Sequence, residues 1–231
     1  MNKKFLVIGN PIGHSLSPKL HNYWIKKNNL KASYDKKLLE QDEIRQLILD
    51  VKEGKIHGLN VTVPFKKTVI PFLDILSDEA KNSQSVNTIY KDKGKIVGDN
   101  TDIEGFKISL ETTHQIIKNK KALILGAGGV VPSIIITLKK MHIAKIYLSN
   151  RTKLKALEIK KLFPEVEIIE WGKVTNFDII INATSIGLNK EDEINIDYKN
   201  VSRDKFFYDV VYNPRETNFL RRAKEFGAQI E

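Results

Sequence analysis

With 231 residues, 41% of them hydrophobic and 8% aromatic, the chain can bury a core as one large domain or two small ones. It contains no cysteine and no apolar run near the roughly 18–20 residues of a membrane span, which sets aside disulfides, thiolate metal sites and a spanning helix. The net charge of +10 comes from scattered lysines with only six arginines among 38 basic residues, which reads as solvated surface able to attract small anions rather than as a nucleic-acid face.

The first half mixes strand-like and helix-like segments. "FLVI" (5–8) is a buried strand, with no secretory signal before it. It runs into "GNPIGHSLSP" (9–18), a loop with two glycines, two prolines and two serines. Ser17 is placed to cap the following helix and Pro18 to open it, with Leu20, Tyr23 and Trp24 on one face. Residues 42–53 form a second helix, with Ile44, Leu47, Ile48 and Val51 at i, i+3, i+4, i+7. "IHGLNVTV" (56–63) is a strand broken by Pro64, and residues 87–98 read as a hairpin around a glycine-containing turn.

A helical stretch over 103–118 leads into a more regular second half. Strands at 122–125, 145–150, 166–169, 178–182 and 206–210 alternate with helices at 130–141, 153–163 and 217–226. That alternation argues for an α/β fold, a parallel sheet with helices on both faces, and a domain boundary near residue 101. The five histidines show no metal-ligand spacing, so no metal is expected, and no Ser-His-Asp elbow motif is present.

Five stretches bear on chemistry. In "LILGAGGVVPS" a strand ends in Gly126, Ala127, Gly128 and Gly129 before a helix, the arrangement that brings backbone N–H groups to a pyrophosphate. Val131 occupies the fingerprint's third small position, so the match is imperfect. Where an NAD-binding chain carries an acidic residue for the ribose hydroxyl, this one reads "SNRTK". Arg151 would clamp a 2′-phosphate, with Asn150, Thr152 and Lys155 alongside, so NADP(H) is the expected cofactor. "NATSIG" places Ala183, Thr184 and Ser185 at a strand end, the ligand edge of a parallel sheet. Taken alone, Lys66 in "NVTVPFKKT" reads as a surface lysine, and Asp102 in "GDNTDIEG" as a helix cap.

Together "GNPIGHSLSP", "HGLNVTVPFK", "SVNTI", "GDNTDIEGF", "GAGG", "NRT", "NATSIG" and "YDVVYNPRET", in this order, resemble the shikimate dehydrogenase family (shikimate and quinate dehydrogenases) from residue 5 to about 227. The resemblance implies an NADP-dependent oxidoreductase interconverting 3-dehydroshikimate and shikimate in aromatic amino-acid synthesis. It implies an amino-terminal substrate-binding domain (1–101), a Rossmann-type NADP-binding domain (102–231), and an active site in the cleft between them. Carried over by position, Ser15 and Ser17 would bind the substrate carboxylate. Asn60, Thr62, Asn87 and Asp102 would hold ring hydroxyls, Tyr212 would close on the substrate, and Lys66 and Asp102 would form the catalytic pair. Which of the two transfers the proton is left open. An NAD-using quinate/shikimate dehydrogenase and a non-catalytic nucleotide-sensing protein of the same fold are the alternatives.

Three departures accompany the resemblance. Gln84 and Ser85 replace the family's Gly-Ala before Val86, Asn87 and Thr88, and Val131 replaces a small residue. The family also continues beyond the position of Glu231 into a final helix with a substrate-binding glutamine. The expectation is therefore a truncated chain or part of a longer one. The expected partner is the small-molecule substrate, with no nucleic acid and no membrane, and a homodimer is allowed for. The cysteine-free composition fits a cytoplasmic protein.

Overall fold

The computed structural model describes residues 2–174, 176–199 and 201–231. The chain divides into two compact units, Met1–Ile103 and Glu104–Glu231. No helix among the described residues is long and apolar enough to cross a membrane.

The first unit carries β1 (Lys3–Gly9), α1 (Ser17–Lys27), β2 (Ala32–Leu38), α2 (Ile44–Lys52), β3 (Gly58–Val61), β4 (Ile75–Leu76), α3 (Asp78–Ser83), β5 (Thr88–Asp92) and β6 (Lys95–Asp99). They form one sheet in the order β2-β1-β3-β5-β6-β4. This sheet is mixed rather than parallel. β1 runs parallel to β2 and β3, whereas β3–β5 and β5–β6 are antiparallel. The antiparallel part is the expected hairpin, turned through Lys93 and Gly94, both at positive φ (44° and 81°).

The periodicity of α2 holds: Ile44, Leu47, Ile48 and Val51 are its buried residues. That of α1 does not. Leu20, Tyr23 and Trp24 are exposed, and the helix instead meets the sheet through Ile25, packed against the cluster of Val7, Ile12 and Tyr34, and through polar contacts with Tyr34. Asn22 donates to the Tyr34 carbonyl (2.7 Å) and accepts from the Tyr34 N–H (3.0 Å), while His21 stacks on the Tyr34 ring at 4.1 Å. Apolar spacing marks a face; it does not say which face meets the sheet.

The second unit carries α4 (Asp102–Thr112), β7 (Lys121–Leu125), α5 (Val131–Lys140), β8 (Lys145–Ser149), α6 (Lys153–Leu162), β9 (Glu167–Ile169), β10 (Ile179–Asn182), β11 (Phe206–Asp209), α7 (Asn218–Glu225) and β12 (Gln229–Ile230), the division between units falling inside α4. Its sheet is parallel throughout, in the order β12-β11-β10-β7-β8-β9. Strand order reverses between β7 and β10, the switch point at whose carboxyl ends open α/β sheets bind ligands. The helix expected over 103–118 stops at Thr112. Thr112 and Thr113 hydroxyls donate back to the Ser109 and Leu110 carbonyls (both 2.7 Å), and His114 turns left-handed at φ 58°.

Candidate active site

The first unit gathers its polar side chains where β1, β3 and the β5–β6 hairpin end. The "GNPIGHSLSP" loop leaves β1 at Gly9, where an added Cβ would lie 2.6 Å from Thr62 Cγ2 and 3.0 Å from the Val63 carbonyl oxygen. Glycine is what lets the two segments touch. The loop is held by the Asn10 amide donating to Glu40 Oε1 (3.0 Å), by Lys36 Nζ donating to the Gly13 carbonyl (2.6 Å) and by buried Ile12. Ser17 is the first helical residue, not the cap; Leu16 is the cap, without a side-chain bond. Ser15 Oγ accepts the Ser17 N–H at 3.3 Å, so both hydroxyls, half-buried, stand at the amino terminus of α1. Such a terminus favours an anionic group.

Lys66 and Asp102 meet. Lys66 Nζ donates to Asp102 Oδ2 at 2.6 Å, with the lysine side chain 12% and the aspartate 23% exposed. The lysine backbone is fixed by the Val86 N–H donating to its carbonyl (2.8 Å). The Asp102 N–H is capped by Asn100 Oδ1 (3.0 Å), a buried side chain whose amide donates to Ser83 Oγ (2.9 Å) and the Ser85 carbonyl (3.0 Å). Ser85, at a departure from the family pattern, thus anchors the cap with its backbone. Gln84, at the other, sits left-handed at φ 49°.

Asn87 adjoins the pair, its amide donating to Asp102 Oδ1 at 2.7 Å and to Thr101 Oγ1 at 3.0 Å. Asn60 lies across the β3–β5 ladder from Thr88. Thr62 follows β3, its N–H donating to the Ile8 carbonyl at 2.9 Å. Ser15, Ser17, Asn60, Thr62 and Asn87 therefore belong to the same unit as Lys66 and Asp102. A cationic lysine held on a carboxylate, beside amides and hydroxyls, can stabilise an oxyanion and hand it a proton. Tyr212 belongs to the second unit, where it is 64% exposed.

The second unit joins "GAGG" to "NATSIG" at the switch point. Gly126 has φ 110°, and a Cβ there would lie 2.8 Å from the Ala183 carbonyl oxygen and 3.0 Å from Thr184 Cγ2. The β7 end and the β10 end can approach this closely only with glycine. Gly128 and Gly129 follow, and at Gly128 a Cβ would meet nothing closer than 3.9 Å, leaving its backbone approachable. Val131 opens α5 fully buried in the core, so the bulk at that fingerprint position is absorbed by packing. Arg151 is exposed just after β8, and the Asn150 amide closes the turn on the Thr152 carbonyl (2.8 Å). Thr152 is the α6 cap residue but makes no capping bond; Lys155 is exposed in the first turn.

Behind these loops stand two residues not singled out from the sequence. Buried Asn182 accepts from the Thr184 N–H (3.0 Å) and hydroxyl (2.7 Å) and donates to the Ile186 carbonyl and Asp209 Oδ1 (both 2.9 Å). Asp209 also takes the Val211 N–H (2.9 Å) and Thr217 hydroxyl (2.6 Å). Burial pushes the Asp209 carboxyl above its ordinary value, with the Thr217 hydrogen bond acting the other way. Their signal was an Asn and an Asp closing otherwise apolar strands. Ser185 is exposed at the tip of the same turn.

Comparison with known proteins finds the same family in both halves of the chain. Residues 7–89 match the family described as "Shikimate dehydrogenase substrate binding domain", and residues 109–218 match "Shikimate / quinate 5-dehydrogenase". The chain is 71% identical over 227 residues to the shikimate dehydrogenase (NADP(+)) of Pelagibacter ubique, covering 98% of this chain and 86% of that protein. Among solved structures it is similar to the shikimate dehydrogenase of Aquifex aeolicus, with TM-score 0.91, 38% identity, and 99% and 85% of the two chains covered. The Thermus thermophilus enzyme, solved with NADP(H) and shikimate, gives TM-score 0.89 at 29% identity over 99% and 86%. A two-unit α/β chain with these matches across both units belongs to the shikimate dehydrogenase family.

Proposed function

We propose that this chain catalyses the reversible NADPH-dependent reduction of 3-dehydroshikimate to shikimate, on the route to aromatic amino acids. The observation that carries the reading is the Lys66–Asp102 contact of 2.6 Å, with Asn87 on the other carboxylate oxygen. Two hydroxyls at the α1 terminus, Ser15 and Ser17, suit the substrate carboxylate. Asn60, Thr62, Asn87 and Asp102 suit its ring hydroxyls, and Tyr212 is proposed as a further substrate-binding residue.

The glycine turn and the exposed Arg151 fit NADP. The tight Gly126 approach leaves the start of α5 facing a pyrophosphate, and the guanidinium matches a 2′-phosphate. Ala127, Gly128 and Gly129 would line the phosphates; Asn150, Thr152 and Lys155 would flank Arg151; Ala183, Thr184 and Ser185 would supply the facing turn. Bound NADPH supplies the hydride. As the ketone carbon accepts it, the carbonyl oxygen becomes an alkoxide. The Lys66 ammonium stabilises that charge and the Lys66–Asp102 pair delivers the proton, giving the alcohol. In the oxidative direction the pair takes the hydroxyl proton as the hydride leaves.

We also infer a cytoplasmic location, in keeping with the cysteine-free composition; a homodimer is a question for sedimentation measurements. The experiment is shikimate-dependent reduction of NADP and of NAD by the purified protein. Turnover preferring NADP supports the assignment. Preference for NAD would favour a quinate/shikimate dehydrogenase, and binding of both ligands without turnover a sensor.

A further inference from the structure

Tyr34 and Thr88 have no part in the roles assigned above, yet they complete a continuous hydrogen-bonded chain. Tyr34 Oη lies 2.6 Å from Asn60 Oδ1, Asn60 Nδ2 3.1 Å from Thr88 Oγ1, and Thr88 Oγ1 3.0 Å from Asn87 Oδ1. Asn87 Nδ2 then reaches Asp102 Oδ1 at 2.7 Å, and Asp102 Oδ2 meets Lys66 Nζ at 2.6 Å.

The direction of each bond is forced. A carboxylate only accepts, so Asn87 must turn its NH2 to Asp102 and its carbonyl the other way, where the Thr101 N–H also donates to it at 2.9 Å. Thr88 has one hydroxyl proton, and facing that carbonyl it must spend it there. It can then only accept from Asn60. The Asn60 amide is held the same way round by the Asn87 backbone carbonyl, an acceptor 3.3 Å from Nδ2. Asn60 Oδ1 is left as the acceptor for the Tyr34 hydroxyl. Tyr34 itself is 4% exposed and fixed by Asn22 and the stacked His21.

The consequence concerns what the site offers a ligand. Both Asn87 amide protons are taken, by Thr101 and Asp102, and the Asn60 amide group is engaged by Thr88 and the Asn87 carbonyl. The oxygens of Asn60 and Asp102 remain as acceptors for ring hydroxyls, Asn87 can join them only by giving up a present partner, and Lys66 remains as the donor for the reacting oxygen.

We propose that Thr88 is a positioning residue: as the single hydroxyl between Asn60 and Asn87, it couples the two amides, reinforcing the orientations that Asp102, the Thr101 N–H and the Asn87 carbonyl favour, and so helps to hold Asp102 against Lys66. The residue touches no reacting atom. The proposal rests on the shikimate site proposed above, and its test separates the two.

The substitutions are Thr88→Val, which keeps the shape and removes the hydroxyl, and Thr88→Ser, which keeps the hydroxyl. The side-chain amide resonances of Asn60 and Asn87 in the substrate-free protein read the chain directly. Both should shift in Thr88→Val and stay near wild type in Thr88→Ser. With shikimate and NADP, losing these bonds should raise the KM for shikimate and lower kcat/KM by about tenfold, with rescue by serine and an unchanged KM for NADP. Amide resonances unmoved by valine, wild-type kinetics in Thr88→Val, or equal losses in the serine and valine variants would overturn the proposal. Resonances that move as described in a protein that never turns shikimate over would support the chain and remove only the reaction assigned to it.

Discussion

Lys66 and Asp102, 36 positions apart in sequence, meet at 2.6 Å, and Asn87 holds the other oxygen of the same carboxylate at 2.7 Å. Asp102 thus accepts from a donor on each side. Asparagine has the same shape but carries only one acceptor, so Asp102→Asn must turn an NH2 toward Lys66 or toward Asn87. We expect kcat for shikimate oxidation to fall by roughly 10²-fold or more, the usual scale of lost acid–base assistance, with the fold retained. Steady-state kinetics and a thermal unfolding curve check both parts.

The two serines at the start of α1 should act on the substrate alone. If Ser15 and Ser17 bind its carboxylate, the double alanine variant loses two charge-assisted hydrogen bonds, each worth about 1.5–3 kcal/mol. The KM for shikimate should rise by well over tenfold, while the KM for NADP stays put. Equal rises in both would point to a general disturbance of the loop.

Arg151 should govern the choice of dinucleotide. Its side chain is exposed after β8. Arg151→Ala should lower kcat/KM with NADP by about 10–100-fold, the worth of one ionic hydrogen-bonded contact, and leave the NAD reaction nearly unchanged. Initial rates with each cofactor supply the ratio.

Asp209 predicts a pH dependence of stability. An ordinary aspartate titrates at 3.8, and burial raises this one. The folded state therefore holds the proton more tightly than the unfolded state. The stability this confers is full below 3.8 and is lost as pH rises through the raised folded value. Asparagine cannot ionise, so Asp209→Asn should gain on the wild type as pH rises across that window. Urea unfolding of both proteins from about pH 3.5 to 7 measures the difference, and parallel curves would contradict it.

Much of the second unit was legible from the sequence because its signals are local. "ALIL" followed by "GAGG" and an apolar helix needs only near neighbours to make a buried strand, a glycine turn and a helix start, and all three stand where the pattern puts them. The first unit hid more. β2, "ASYDKKL", buries only Tyr34 and carries charges as an edge strand does, so it showed no alternation to read. α1 defeated its own periodicity because its sheet-facing side combines Ile25 with Asn22, hydrogen-bonded to Tyr34, and His21, stacked on it, rather than Leu20, Tyr23 and Trp24. Lys66 and Asp102 are ordinary in isolation; only the family resemblance singled them out, and their meeting depends on Asn100, Ser83 and Ser85 fixing a cap that no spacing rule encodes.

The most direct test of the central claim is kcat for shikimate oxidation with NADP in wild type and in Lys66→Met, with shikimate affinity measured separately by calorimetry. The account predicts that the wild type turns over, and that methionine, similar in length but unable to carry a proton, cuts kcat by roughly 10²–10⁴-fold while shikimate still binds. Undiminished kcat in Lys66→Met would contradict it.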